Sequence, residues 1–222
     1  MDFSNCFVSE CREYSSYVQH VKAPVFRKSF VLKEGSQSGE ILICGLGFYD
    51  LFINGEKITK GYLAPYISNT DHIVYYDHYD LTPWLKAGEN VIGVMLGDGF
   101  QNSKTRVWDF MDNVFNSAPK LALSMKVESD GEKQEFDAMD FSCKKGPIFF
   151  NDLRSGVFFD KREEEKGWDQ PGFQEDENWH KPILADWPRG KAKLCEAEPI
   201  AVVEERKPVK IGKGALADYT PR

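Results

Sequence analysis

Apolar residues recur along this chain at alternate positions or in short unbroken runs, and each run breaks at Gly, Asn, Asp or Pro. That rhythm predicts strands and turns, because a strand sends successive side chains to opposite faces, whereas a helix spaces its apolar positions roughly three to four apart. The runs are FRKSFVL (26–32), EILICGL (40–46), FYDLFI (48–53), HIVYYDHYDL (72–81), NVIGVML (90–96), LALSMKVES (121–129), EKQEFDAM (132–139), FSCKKGPIFF (141–150), GVFFDKRE (156–163) and IAVVEERKPVKI (200–211). Two carry hairpin turns, at Asn54-Gly55 and Asp130-Gly131. Both dipeptides tolerate the positive φ that a two-residue type I′ turn needs. In the first hairpin Phe48, Asp50 and Phe52 share one face, and Tyr49, Leu51 and Ile53 share the other. A carboxylate thus lies between two phenylalanines, either at a site or at the solvated rim of a sheet.

Recurrent short strands with turn residues between them predict an all-β sandwich rather than alternating β and α units. One helical turn is expected at 82–88, with Thr82 as N-cap, Pro83 in the first turn and Gly88 ending it. Residues 160–190 are charged yet carry Trp168, Trp179 and Trp187. So many aromatics fit an ordered segment crossing the sandwich better than a disordered tail. The expected organisation is an N-terminal extension (1–23), a β-sandwich (24–211) and the start of a linker (212–222).

Composition narrows the partners. A formal net charge of −7 over 222 residues argues against nucleic acid, whose phosphates require clustered Lys and Arg. No apolar stretch approaches the roughly 20 residues that span a bilayer, so no membrane partner is expected. The N-terminal residues show no basic head followed by an apolar run. Cys6, Cys11, Cys44, Cys143 and Cys195 are odd in number and scattered, as reduced structural thiols are, and this favours the cytoplasm.

No catalytic motif stands out. The acids Glu163-Glu164-Glu165 and Asp176-Glu177 read as solvated charge, and the four histidines have no metal-site spacing. The loop GDGFQNSKTRVWDF (97–110) carries more: Gly97 and Gly99 flank Asp98 directly after an apolar strand. Carbonyls and a carboxylate converging there would suit calcium, which can hold sugar hydroxyls. Phe100 and Trp108 could supply an apolar platform. Equally, Asp98 could cap its own turn.

GLGFYDLFINGEKI, followed by GYLAPYISNTDHIVYYDHYDLTPWLKAGENVIGVMLGDGF, resembles the N-terminal β-sandwich domain of bacterial α-L-rhamnosidases of glycoside hydrolase family 78. NDLRSGVFFDKREEEKGWDQPGFQEDENWHKPI is similar to that family's second signature, and EPIAVVEERKPVKI to the strand leading to its next domain. The resemblance implies a galactose-binding-like jelly roll, non-catalytic, ahead of a catalytic barrel domain on the same polypeptide. It implies rhamnose-containing glycans as ligands, with calcium as a cofactor in some members. It places Asp50 and Asp98 as ligand and metal residues, with Phe100 and Trp108 beside the sugar. The chain departs from the family pattern at Tyr49, Asp98, Phe100 and Val157. A purely structural domain packed on the barrel is the alternative implied.

Overall fold

The computed structural model describes residues 2–3, 6–16, 19–102, 117–153, 156–186 and 188–209. In chain order its strands are β1 (Val8–Ser9), β2 (Pro24–Leu32), β3 (Gln37–Leu46), β4 (Tyr49–Ile53), β5 (Glu56–Lys57), β6 (Ile73–Asp80), β7 (Gly88–Leu96), β8 (Lys120–Ser129), β9 (Glu132–Asp137), β10 (Ser142–Lys145), β11 (Ile148–Asp152), β12 (Gly156–Phe159), β13 (Ile183–Leu184) and β14 (Lys191–Leu194). One sheet runs β13-β1-β8-β3-β6-β14, with β9 also paired to β8, and the other runs β10-β2-β7-β4-β5. β11 and β12 form a separate hairpin. The pairings are antiparallel except for β14, which lies parallel to β6. The result is an all-β sandwich, as the strand rhythm predicts, of the jelly-roll kind that the family resemblance implies.

The alternation sorts the core. Leu121, Leu123, Met125 and Val127 of β8 are buried at every second position, facing Leu51, Ile53, Ile92 and Val94 of the opposite sheet. Each such side chain contributes about 1.5–3 kcal/mol when removed from water. The hairpin turns form as expected, with φ of 52° and 86° at Asn54-Gly55 and 49° and 76° at Asp130-Gly131. Asn54 adds a tie of its own: its amide donates to the Trp84 carbonyl and Asn90 Oδ1, and its Oδ1 accepts from the Val91 amide.

Both outer faces are also covered, which explains the unbroken apolar runs. Within residues 1–23, expected as an N-terminal extension, Val8–Ser9 form β1. Phe7 packs on Cys44, Val74 and Ala122, the outward positions of β3, β6 and β8. On the other side the 160–190 segment lays Trp168 and Trp179 over Val25, Phe52 and Met95. Arg27 pins that segment: its Nε donates to the Trp168 carbonyl at 2.8 Å, its Nη1 to Glu175 at 2.7 Å, and its guanidinium lies 5.1 Å from the Phe173 ring. Gly93 is opposite Arg27 in the sheet, and a Cβ there would come within 2.9 Å of the Trp168 ring.

Several local expectations are corrected. The helical turn is a 3-10 turn at Thr82–Trp84 whose N-cap is Leu81, because the Asp80 carboxylate already accepts the Thr82 amide. Gly88 opens β7 rather than ending the turn. The run 141–150 splits at Gly146-Pro147 into β10 and β11 in different sheets, since Pro has no amide for the ladder. Residues 201–209 form no strand; only Ile200 pairs, in a bridge to Tyr62. Cys11, Cys44, Cys143 and Cys195 are in no disulfide, and none of the described helices is long and apolar enough to cross a membrane.

Arg27→Ala should remove two hydrogen bonds and the guanidinium that fills the space under Phe173. The expected loss is about 3 kcal/mol of unfolding free energy in urea, with a change in tryptophan fluorescence. A loss below about 1 kcal/mol would mean that the crossing segment is held by its tryptophans alone.

Candidate functional site

β3 passes into β4 across the two sheets through Gly47 (φ 116°) and Phe48 (φ 70°). A Cβ at Gly47 would stand 2.2 Å from the Gly97 carbonyl oxygen, so only glycine lets the two segments cross here. Beside this corner the 60–67 loop, the β11–β12 hairpin and residues 194–200 enclose a cleft of two chambers. One, of about 470 Å³, contains Asp50, Lys57, Asn151, Asp152 and Val157. The other, of about 570 Å³, contains Lys60, Tyr66, Ile67, Asp77 and Phe100. Phe48, Tyr62, Leu63 and Leu153 line both and form the wall between them.

Asp50 points outward from β4, opposite in sense to buried Tyr49 and Leu51. Its Oδ1 accepts from Lys57 Nζ at 2.6 Å, diagonally across the hairpin, with both side chains about 40% exposed. An ion pair this exposed contributes under about 1 kcal/mol, so an incoming hydroxyl can displace the ammonium at little cost. Tyr62, 54% exposed, lies beyond it with its ring centroid 5.8 Å from Lys57 Nζ. Carboxylate, ammonium and aromatic face therefore stand in one row.

Asp98 is elsewhere. It is 1% exposed, and its Oδ1 accepts from Asn102 Nδ2 at 2.8 Å. The Asn102 amide also bonds the Asp98 carbonyl, and the Asp98 amide donates to Asn151 Oδ1 at 2.6 Å. Asn102 in turn accepts the Ser15 amide at 2.7 Å. Asp98 thus sits within its own turn and joins the N-terminal segment to β11 beneath the cleft. Phe100 meets Phe48 edge to face at 6.2 Å and reaches the larger chamber. Trp108 lies outside the described residues. Asp50 and Phe100 open into adjoining chambers, whereas Asp98 lines neither.

Calcium takes six to eight oxygens; here Asp50 Oδ1 is engaged by an ammonium, Asp98 Oδ1 by an amide, and the two carboxylates share no chamber. Among the described residues no group of three or more His, Cys, Asp or Glu side chains could hold a metal.

A further polar network escaped sequence reading. The Tyr49 hydroxyl lies 2.6 Å from Asp77 Oδ2 and 2.9 Å from the Tyr79 hydroxyl, which accepts the Lys60 amide at 3.2 Å. Burial pushes the Asp77 carboxyl up, while Tyr49, Lys60 and Cys195 pull it down. Burial likewise raises the Tyr49 hydroxyl well above its ordinary value, reinforced by Tyr79 and Asp77. The available signal was an acid at alternate spacing with Tyr75 and Tyr79 in HIVYYDHYDL.

Fold and cleft together define an antiparallel β-sandwich module with an aromatic-walled groove at one corner. The model of the α-L-rhamnosidase N-terminal domain matches residues 36–204, and the chain belongs to that family. An α-L-rhamnosidase of Formosa agariphila is 33% identical over 162 residues, 71% of this chain and 17% of that protein. The α-L-rhamnosidase structure from Dictyoglumus thermophilum superposes with a TM-score of 0.80 at 30% identity, over 92% of this chain and 24% of that one. The Streptomyces avermitilis α-L-rhamnosidase complexed with L-rhamnose has a TM-score of 0.69 at 26% identity, over 82% of this chain and 17% of that one. The chain spans under a quarter of the length of these relatives.

Asn102→Ala should strip Asp98 of its side-chain donor and Ser15 of its acceptor in a fully buried setting. A loss of about 2–4 kcal/mol is expected in urea unfolding. A near-neutral result would show that the Asp98 turn is not what ties the N-terminal segment to the cleft floor.

Proposed function

We propose that this domain recognises rhamnosyl-terminated carbohydrate in the Asp50 chamber and is itself non-catalytic, serving a catalytic barrel domain on a longer polypeptide. The observation that carries this reading is the row Asp50–Lys57–Tyr62. A carboxylate accepts sugar hydroxyls, an ammonium donates to ring and hydroxyl oxygens, and an aromatic face takes the apolar C–H side of a pyranose. Family membership and the rhamnose complex of the Streptomyces relative support the choice of sugar. Asp50 is read as binding the sugar without calcium, because Lys57 already neutralises it.

A second reading has its own observation. Val157 and Phe158 of β12 are 61% and 67% exposed, and Leu153 beside them is 47% exposed. An apolar face of that kind suits packing against the barrel domain without sugar binding.

Titration calorimetry of the 222-residue chain with L-rhamnose separates the two. Saturable heat that survives a chelator, and that weakens about tenfold in Asp50→Asn, is expected for the binding reading. No heat from a folded sample would leave the packing reading. Loss of heat on chelation would make the site calcium-dependent.

A further inference from the structure

The larger chamber is built for a ligand as much as the Asp50 chamber is. Its volume of about 570 Å³ falls in the range of small-molecule sites. It is walled by Phe48, Phe100, Tyr66, Ile67 and Leu194, and its acids are half-buried Asp77 and exposed Glu196 and Glu198. The roof is tied at both ends: the Cys195 amide donates to the Tyr76 carbonyl at 2.8 Å, and the Tyr62 amide to the Ile200 carbonyl at 3.0 Å. A roof held this way leaves the chamber formed before any ligand arrives.

The hydrogen bonds around Asp77 run in one direction. The carboxylate accepts the single Tyr49 hydroxyl proton, so the 2.9 Å contact between the tyrosines has Tyr79 donating to Tyr49. Tyr79 accepts the Lys60 amide, which anchors the row in the backbone. An ionised carboxylate has about four acceptor positions, and one proton from Tyr49 together with the Cys195 thiol leaves further capacity. A carboxylate oriented from behind and walled by aromatic and aliphatic side chains matches a polyhydroxylated ring with one apolar face. The Tyr62–Leu63 wall shared with the Asp50 chamber makes the two continuous.

We propose that the Asp77 chamber is a second sugar subsite, taking the ring to which the terminal rhamnose is attached, with Asp77 as its hydroxyl acceptor. The domain's ligand is then a glycoside of at least two rings rather than a single monosaccharide. This rests on the proposed recognition of a terminal sugar at Asp50.

Calorimetry with L-rhamnose and with rutinose, rhamnose joined to glucose, tests it on the full 222-residue chain. Rutinose should bind about tenfold tighter than L-rhamnose. Asp77→Asn and Tyr66→Ala should each erase that advantage and leave L-rhamnose affinity unchanged, whereas Asp50→Asn should weaken both sugars. Tyr66 is 52% exposed and outside the Tyr49–Asp77 network, so its variant keeps the test valid if Asp77→Asn fails to fold. Rutinose binding no tighter than L-rhamnose, or an advantage that survives both variants, would overturn the second subsite and leave the Asp50 reading intact. Binding of neither sugar would overturn both.

Discussion

The cleft depends on a close backbone crossing. Gly47 and Gly97 approach so nearly that a Cβ on the first would lie 2.2 Å from the carbonyl of the second, and a Cβ on Gly99 would lie 2.8 Å from the Gly47 carbonyl carbon. The Gly97 amide closes the crossing by donating to the Phe48 carbonyl at 3.1 Å. Removing side chains at these positions lets β3 leave one sheet and β4 enter the other within two residues. Phe48 is then turned into the wall between the chambers, and Asp98 is folded beneath it.

The crossing is supported from both outer faces. Trp168 meets Phe52 edge to face at 5.7 Å, which bears on the strand that also carries Asp50. On the far side Phe7 and its neighbours cover β3, β6 and β8. β4 and β6 present Asp50 and Asp77, so covering their surroundings limits the motion of both acids. A rigid sheet makes a more exact platform for side chains than a free loop does.

Asp50, Asp77 and Asp98 carry three different duties because their surroundings differ. Asp50 is half-exposed and exchangeable with its lysine, a state suited to meeting a ligand. Asp77 is largely buried, bonded by Tyr49, which Tyr79 in turn contacts, and opens into the larger chamber. Asp98 is enclosed, its Oδ1 accepting from Asn102 and its amide donating to Asn151, and so joins segments.

Much of the fold was legible because its cues are local. The Asn54-Gly55 and Asp130-Gly131 turns, the alternation of β8 and the two faces of β4 each follow from neighbouring residues and backbone preference. The aromatic content of 160–190 correctly implied a packed crossing segment. By contrast, β1 and β14 are a few residues long, and they exist because β8 and β6 offer them open edges. The sequence by itself determined that this is a sandwich, which family it resembles and that Asp50 lies on the opposite face of its strand from Tyr49 and Leu51. Only the tertiary structure decided that Asp98 turns inward, that Tyr62 comes to stand beside Lys57, and that Asp77 joins Tyr49 across the sandwich. Those outcomes rest on contacts between segments far apart in the chain, which no local periodicity encodes.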